Sequence, residues 1–385
     1  MKIDQINIYK IIIPFSSDVS HSMRTGAFSN NFVVEVVSQE GQIKGYGEGA
    51  PRKYVTGESW EGVTENTIQL VKEGEFPWDL DDVDQIWNFI DNITDSKQFN
   101  SVVCALEISL LDALGKLQNK NILEYFNKDY YVDSINYGGL IPLNGKNRRI
   151  EVCRLLKGLG IDQLRIKLGK NLDENIVTIK EVKEYFGDDC DLRVDVNGGW
   201  DSQLANRHVD TFIDQGIKVV EQPFLPGDKA IRDFSEKICS SGILLMADES
   251  VCSMNDLKNI IYDGYYGMVN IRLSKCGGLR RSLNMMDYLR KEDLSFQVGC
   301  QLGETGILSA AGRILSLLSG DALYYDGSYD RYLLKENLTR EDVSFGEGGY
   351  AEPLNGPGLG VGVDSDKLKR MSGSYPVYSV TKPLF

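Results

Sequence analysis

The residue types best suited to acid-base or metal chemistry recur at regular intervals in the second half of the chain. Each closes or follows a short apolar run typical of a buried β-strand: Lys167 in QLRIK, Asp195 in RVDVN, Glu221 in KVVE, Asp248 in LMADES and Lys275 after NIRLS. Intervals of roughly 26 to 28 residues match one strand plus one helix of a β/α barrel. Since the carboxyl ends of such strands meet at one mouth, we expect these five side chains to converge.

Three of these residues, Asp195, Glu221 and Asp248, are carboxylates on adjacent predicted strands. Hard divalent cations such as Mg²⁺ take oxygen ligands and leave positions open for water or substrate. Without a cation the three carboxylates would repel one another. The pattern therefore predicts a Mg²⁺ site, which Mn²⁺ could also occupy, with Asn197 on the same strand face as Asp195. Any one of the three, taken alone, is equally typical of a helix cap.

The predicted acid and base catalysts are Lys167 and Lys275. Lys167 shares a strand face with Arg165, and both the nearby guanidinium and desolvation disfavour a charged ammonium, which favours a general base. The alternative is a pair of solvated surface cations. Lys275 belongs to the sixth predicted strand, across the barrel from the second, so the two lysines could serve opposite faces of one substrate. Strict alternation puts Lys275 in phase with Leu273 and not with Arg272, so its inward aim requires a bulge or a strand end.

Polar residues at the remaining strand ends are candidate substrate contacts. Glu304 in QLGETG would donate a hydrogen bond if protonated, and Asp326 and Ser328 follow the eighth strand. Ordinary polar loop residues would give the same pattern. Glu249 directly follows Asp248, so alternation excludes it from the same role, and we expect it to pair with a lysine.

Eight apolar runs alternate with helix-length amphipathic segments from about residue 135. The runs are INYGGLIPL, QLRIKLG, LRVDVNGG, KVVEQP, LLMADES, MVNIRLS, FQVGC and LYYDGS. The pattern predicts an α/β fold, a closed (β/α)8 barrel over residues 131–355, although an open doubly wound sheet follows similar local rules.

Residues 1–130 follow a different pattern. Runs rich in β-formers at residues 1–14 and 32–49 predict an antiparallel sheet, and helical spacing of apolar residues over 61–119 predicts helices beside it. Together they indicate a separate α+β domain that ends near residue 130. The tail, residues 356–385, ends in the strand-like run YSVTKPLF and is expected to return to that domain.

Composition limits the partners. A formal net charge of −14 opposes binding to nucleic acid, and seven cysteines without a C-x-x-C pair are typical of reduced thiols in a cytoplasmic protein. The longest apolar run near the N-terminus is too short to span a membrane. We therefore expect a cytoplasmic location and a small-molecule carboxylate as partner, with no nucleic acid and no membrane. Exposed barrel helices would also suit a symmetric homo-oligomer.

The ordered motifs R-x-K, D-x-N, E-Q-P, A-D-E-S and K-C-G-G resemble the enolase superfamily, in its muconate-lactonizing-enzyme subgroup of the mandelate racemase/muconate lactonizing enzyme family. The resemblance covers nearly the whole chain. It implies an N-terminal α+β capping domain over a modified TIM barrel, with Asp195, Glu221 and Asp248 as Mg²⁺ ligands and Lys167 and Lys275 as acid and base catalysts. It also implies that the metal binds the substrate carboxylate and stabilises the enediolate left by α-proton removal.

The chain departs from the family pattern at three points. Arg165 stands where the K-x-K motif has its first lysine. The mandelate-racemase branch uses a histidine of the seventh strand, whereas this chain has only His21 and His208, which lie elsewhere. Dipeptide epimerases carry Asp-x-Asp at the eighth strand, where this chain has Asp326 and Ser328. The histidine-dependent branch and dipeptide epimerisation are both disfavoured.

Loops of the capping domain select the substrate in this family. Residues 16–31 and 50–59 would supply His21, Arg24, Arg52 and Tyr54 as contacts to a distal polar or anionic group, although solvated loop residues would look the same.

The sequence predicts a racemase or epimerase of a small carboxylate such as an N-substituted amino acid, because paired lysines suit protonation from two faces. Muconate-type cycloisomerisation and o-succinylbenzoate-forming dehydration use the same pair. A non-catalytic binding barrel would not need the acidic triad. A sugar-phosphate enzyme would carry a Gly-rich phosphate turn after its last strands, and none is evident.

Overall fold

The computed structural model describes residues 1–21, 24–73, 75–143, 145–373 and 375–382, without the side chains of residues 17–25. The chain begins with an antiparallel sheet followed by three helices, as the sequence predicts. The elements are β1 (Ile3–His21), β2 (Arg24–Ser38), β3 (Lys44–Gly49), α1 (Trp60–Glu73), α2 (Val83–Asn92) and α3 (Asn100–Gln118). The turn between β2 and β3 contains Gly41 at φ 66°, a left-handed conformation that suits glycine.

Helix α3 lies directly on strand β3, and glycines make this close contact possible. A Cβ atom added at Gly47 would come within 2.0 Å of the backbone oxygen of Ala105, and one at Gly45 within 2.1 Å of that of Ser109. Nearly every side chain of α3 is buried, because the sheet covers one face of the helix and the barrel contacts another. The helix therefore joins the two parts of the molecule.

The second half of the chain forms eight parallel strands. They are β5 (Gly139–Ile141), β6 (Gln163–Lys167), β7 (Asp191–Asp195), β8 (Ile217–Glu221), β9 (Leu244–Ala247), β10 (Met268–Arg272), β11 (Ser295–Gly299) and β12 (Tyr324–Tyr325), and a short strand β4 (Ile135–Asn136) precedes them. Each pairs with the next in chain order, and the amide of Gly138 donates 2.8 Å to the carbonyl oxygen of Tyr325, joining the first strand to the last. The predicted modified TIM barrel with an α+β capping domain is confirmed.

Helices connect and cover these strands. They are α4 (Lys146–Gly158), α5 (Leu172–Phe186), α6 (Ser202–Asp214), α7 (Ala230–Cys239), α8 (Met254–Asp263), α9 (Leu273–Cys276), α10 (Leu279–Lys291), α11 (Gly306–Leu317), α12 (Asp330–Leu333) and α13 (Ser365–Ser372). No helix within the described residues is both long enough and apolar enough to cross a membrane.

Strand register brings the polar residues to one level at the carboxyl ends. Lys167 is the register partner of Asp195, and Asp195 is the partner of Glu221. Alternation places every second residue of a strand on the same face. Because all three lie at the last position of their strands, they face one mouth of the barrel.

The K-C-G-G motif forms a tight turn between β10 and α10. Gly277 and Gly278 have φ angles of 86° and 96°, and a Cβ at Gly278 would meet the Glu107 carboxylate at 2.0 Å. Glu107, on α3, accepts hydrogen bonds from the amides of Leu279 (2.5 Å) and Arg280 (2.9 Å) at the start of α10. This carboxylate anchors the capping domain to the barrel.

The C-terminal segment crosses back to the N-terminal sheet. After β13 (Tyr350–Ala351) and α13, strand β14 (Tyr378–Thr381) pairs antiparallel with β1, where Ile6 is the partner of Val380. This pairing agrees with the expected return of the tail. The domain boundaries at residues 130 and 355 stay a prediction.

Candidate active site

A pocket opens at the mouth of the barrel, at the carboxyl ends of the strands, and both apolar and charged side chains line it. It encloses a cavity of about 60 Å³. Its lining includes Arg165, Lys167, Asn197, Glu249, Arg272 and Glu304. A barrel mouth is where β/α-barrel enzymes build their sites, since loops from all eight strands meet there.

Lys167 is held at this mouth by two hydrogen bonds. Its Nζ lies 2.5 Å from Asp195 Oδ2 and 2.8 Å from Asn197 Oδ1. Asn197 has a φ of 49°, a left-handed turn that asparagine tolerates, and its Nδ2 donates 3.0 Å to Glu249 Oε1. Burial, and then the charge of Asp248, raise the pKa of Glu249 to about 8. The expected pairing of Glu249 with a lysine is not found among the described residues, where its partner is this amide.

The three predicted carboxylates are fully buried and each contacts basic side chains. Arg165 Nη1 lies 2.9 Å from Glu221 Oε2 and 3.4 Å from Asp195 Oδ2. The Arg272 guanidinium contacts Asp248 and lies 3.3 Å from Glu221 Oε1. Burial would raise the pKa of Glu221, but Arg165 and Arg272 outweigh it and hold that pKa below its usual range. Burial and the charge of Glu221 raise the pKa of Asp195.

The donor set fits a hard divalent ion by its chemistry. Asp195, Glu221 and Asp248 supply buried carboxylate oxygens at the ends of three adjacent strands, the ligand type that Mg²⁺ prefers. As the side chains stand, no three acidic, histidine or cysteine side chains in the described ranges are arranged to share one ion. Basic groups occupy that space, because Arg272 lies between Glu221 and Asp248. A bound ion would take over the contacts that Arg272 now makes.

Lys275 lies outside the pocket lining, within the part of the chain that the structure describes. Strand β10 ends at Arg272, and Lys275 follows on α9 with its side chain fully buried. Its Nζ donates to the carbonyl oxygens of Asp248 and Asn270, both at 2.7 Å, and to Asp248 Oδ1 at 3.0 Å. The strand end that an inward aim required is present, yet it turns Lys275 towards backbone carbonyls and not towards the cavity.

Arg272 takes the mouth position on β10 that the sequence interpretation gave to Lys275. The signal for it was present in the sequence, because alternation puts Arg272 in phase with Asn270, whose Nδ2 donates 2.7 Å to Glu221 Oε1. Sequence reasoning also missed Gln301, whose Oε1 accepts from Arg272 Nη1 at 3.3 Å. No motif marks Gln301, since it lies in an irregular loop after β11.

The two candidates after the eighth strand, Ser328 and Asp326, have different surroundings. Ser328 lines the pocket and accepts a hydrogen bond from Arg313 Nη2 at 3.2 Å. Asp326 is buried beneath the mouth, 3.1 Å from Arg193 Nη2 and 3.2 Å from Arg165 Nε. Asp326 therefore positions Arg165 and is not in the pocket lining. This placement argues against a direct substrate contact at Asp326.

Glu304 lines the pocket, and its Oε1 accepts a hydrogen bond from the amide of Gln301. Burial, with the nearby charge of Glu48, raises the pKa of Glu304 to about 8, against the opposing effect of Arg52 and Arg272. A pKa of about 8 favours the neutral carboxyl at pH 7, which is the form that the predicted hydrogen-bond donor would need.

The four capping-domain candidates have different outcomes. Tyr54 lines the pocket. Arg52 is buried and donates to Asn31 Oδ1 at 2.9 Å and to the carbonyl oxygen of Leu302 at 2.6 Å, so it fastens the capping domain to the loop after β11. This placement argues against a substrate contact at Arg52. The side chains of His21 and Arg24 lie outside the described residues.

The structure is a (β/α)8 barrel with a capping domain, and its mouth carries carboxylates and a lysine. This arrangement is typical of barrel enzymes whose active site lies at the carboxyl ends of the strands. The family model for the enolase C-terminal domain-like fold matches residues 148–367, more than half of the chain. The chain belongs to this family, and the predicted membership of the enolase superfamily is confirmed.

Relatives of known name span several reactions. The chain is 25% identical over 372 residues to a hydrophobic dipeptide epimerase of Enterococcus faecalis, covering 96% of both chains. It is 27% identical over 317 residues to an N-succinyl-L-Arg/Lys racemase of Bacillus cereus, covering 81% of this chain and 83% of the relative. A chloromuconate cycloisomerase of Pseudomonas is 24% identical and covers 96% of this chain and 98% of its own.

Solved structures agree on the fold. The crystal structure of the Bacillus cereus racemase aligns with a TM-score of 0.85 at 24% identity, over 99% of this chain and all of the other. A dipeptide epimerase of Cytophaga hutchinsonii, solved with Mg and D-Ala-L-Val, aligns with a TM-score of 0.81 at 22% identity, over 99% of this chain and all of its own.

Proposed function

We propose that this chain removes the proton α to the carboxylate of a small substrate, with Lys167 as the base and a divalent ion, Mg²⁺, at Asp195, Glu221 and Asp248. The observation that carries the proposal is the position of the Lys167 amine, which lines the pocket beside one of the three buried carboxylates. Mn²⁺ has the same ligand preferences and is an alternative ion.

The protein's own groups perform the steps around this ion. The Lys167 amine takes the α-proton, while Asn197 holds that amine at the pocket by a hydrogen bond. Glu304, protonated at neutral pH, donates a hydrogen bond to a carboxylate oxygen of the substrate. A bound Mg²⁺ supplies the positive charge that stabilises the enediolate. Arg165 and Asp326 hold the floor of the pocket in place.

The surroundings favour a substrate with an apolar extension. Next to the pocket lies a larger cavity of about 390 Å³, lined mainly by apolar side chains, which shares Leu140, Pro142, Leu302, Tyr329 and Leu333 with it. An N-substituted amino acid would place its carboxylate at the mouth, near the residues that would hold the ion, and would direct an acyl group or side chain into this space. The substrates named for the Bacillus cereus and Enterococcus faecalis relatives are of this size class.

Two kinds of outcome follow from the same enediolate. Racemisation or epimerisation requires a proton on the second face, and the racemase and epimerase relatives support it. Cycloisomerisation or dehydration needs proton transfer on one face only. The burial of Lys275 outside the pocket supports this second kind.

The test is α-proton exchange in D₂O. Mg²⁺-loaded enzyme is incubated with N-succinyl amino acids, dipeptides and muconate, and ¹H NMR follows loss of the α-proton signal and any new product. Exchange or turnover that stops when EDTA removes the ion and returns with Mg²⁺ supports the proposal. Exchange unaffected by EDTA contradicts the metal-dependent route.

The alkaline limb of the pH profile tests the role of Glu304. Below a pKa of about 8 this carboxyl is neutral and donates, whereas above it the anion repels the substrate carboxylate. We expect kcat/KM to fall above pH 8 in the wild type. Glu304→Gln stays neutral at all pH values and should lose that part of the limb. An unchanged limb in the variant would contradict this role.

A further inference from the structure

Two cations face each other across the barrel mouth. Lys167 ends β6, the second of the eight strands, and Arg272 ends β10, the sixth, so half the barrel separates them. Both line the same pocket. A substrate bound between them presents one face to an amine and the other to a guanidinium.

These two groups differ in what they can do with a proton. A lysine amine can accept and return one, whereas an arginine guanidinium stays protonated at any working pH and has no acceptor. Arg272 contacts Asp248, Glu221 and Gln301 in the described structure, and its guanidinium keeps its positive charge whichever of these contacts a bound ion would replace. It can stabilise negative charge on the enediolate but cannot remove an α-proton.

Lys275, which follows Arg272 on α9, already has hydrogen-bond partners for its amine. An ammonium has three N–H donors, and those of Lys275 meet three acceptors: two backbone carbonyl oxygens and one carboxylate oxygen of Asp248. Its side chain is fully buried and is not among the residues that line the pocket. To reach a substrate it would have to give up all three of these hydrogen bonds.

Asn197 forms hydrogen bonds with both Lys167 and Glu249, so Glu249 lies on the same side of the pocket as Lys167. Among the described residues that line the pocket, Lys167 is the one amine. We propose that this enzyme transfers protons on a single face of its substrate, with Lys167 as both base and acid and Arg272 as a permanently charged group on the opposite face. The inference rests on the proposed function and selects one-face reactions over racemisation.

Every proton transfer in this scheme takes place on the substrate face next to Lys167. The α C–H bond breaks, its proton passes to the Lys167 amine, and the electron pair moves onto the carboxylate to give the enediolate. The ammonium then returns a proton to the same face of that carbon, or to a leaving group on that face. No external oxidant or reductant is required.

The experiment compares the two enantiomers of one probe. D- and L-N-succinyl-phenylalanine and D- and L-N-succinyl-arginine are incubated separately with Mg²⁺-loaded enzyme in D₂O. We expect one enantiomer of a probe to exchange its α-proton at least about 100-fold faster than the other, with its optical purity unchanged. Comparable exchange from both enantiomers, or loss of optical purity, overturns the inference.

Substitutions at Arg272 and Lys275 test which residue serves each face of the substrate. Arg272→Lys places an amine at the opposite strand end, and we expect it to gain exchange from the slow enantiomer together with racemisation. If this variant binds Mg²⁺ by calorimetry and still exchanges one enantiomer only, the assignment of Arg272 is wrong. Lys275→Met should keep the wild-type preference. The opposite result has two parts: the wild type exchanges both enantiomers, and Lys275→Met or Glu304→Gln stops exchange of one of them. That result would identify the substituted residue as a second acid.

Failure of the proposed function gives a different result. If Mg²⁺ binds but neither enantiomer of either probe exchanges, and dipeptides and muconate are also inert, then α-proton removal itself is contradicted. Selective exchange of one enantiomer supports the proposed function and the single-face inference. Exchange of both enantiomers supports the proposed function and rejects the single-face inference.

Discussion

Lys167→Met is expected to lower the rate of α-proton exchange by about 10²- to 10⁴-fold, the range over which a positioned general base accelerates proton transfer. Methionine has a similar length and no amine, so the pocket keeps its shape. The carboxylates keep their other basic partners, because Arg165 and Arg272 are unchanged. ¹H NMR of the substrate α-proton in D₂O measures the rate.

Lys170→Met provides the matched control. Lys170 lies three residues further along and is exposed to solvent, outside the pocket lining. Its replacement should leave exchange within twofold of the wild type. An exchange rate in Lys167→Met equal to that of the control would show that another group is the base.

The second large effect is on stability. Glu221→Gln removes a fully buried negative charge that Arg165 and Arg272 both contact, while it keeps the shape of the side chain. Leaving buried cations without their partner costs about 3 kcal/mol or more. We therefore expect the free energy of unfolding, measured in urea with EDTA present, to fall by about that amount.

Glu236→Gln serves as the control for Glu221→Gln, since Glu236 is exposed on α7. Its substitution should change the free energy of unfolding by less than about 0.5 kcal/mol, as is usual for surface sites. A Glu221→Gln variant as stable as this control would mean that the two arginines gain as much from Asp195, Asp248 and Asp326 alone.

Much of the architecture could be predicted from sequence because period and spacing encode it. Eight apolar runs at the spacing of a strand plus a helix specify the barrel, and the strand-end positions of Lys167, Asp195 and Glu221 follow from alternation. The antiparallel sheet of the capping domain follows from β-rich runs with a turn at Gly41.

The details that sequence could not supply are those set by tertiary contacts. β10 ends at Arg272 because the short helix α9 begins at Leu273, and this change of backbone direction turns Lys275 away from the cavity. Asp326 pairs with Arg193 of β7, five strands earlier in chain order, so no local signal in the sequence marks this pair.

The same limit applies to the capping domain. Arg52 looked like a polar loop residue that could meet a substrate, but it is buried against backbone carbonyls from both parts of the molecule. Sequence position identifies which loops border the mouth. Only the folded contacts show which of their side chains fasten the structure and which, like Tyr54, line the pocket.

Arg272 connects the metal site to the stereochemical proposal. In the described structure its guanidinium contacts two of the three carboxylates, and the same side chain borders the pocket. An ion bound by those carboxylates would compete with it, since both are cations. We therefore expect the single substitution Arg272→Lys to alter both metal affinity and the face selectivity of exchange.

Isothermal titration of metal-free protein with MgCl₂ tests the central claim most directly, because it needs no substrate. We predict one Mg²⁺ per chain in the wild type and a loss of most of the affinity in Asp195→Asn, which removes one carboxylate ligand but keeps the size of the side chain. Absence of Mg²⁺ uptake by the wild type, or equal uptake by Asp195→Asn, would contradict a metal site built from these three strand ends.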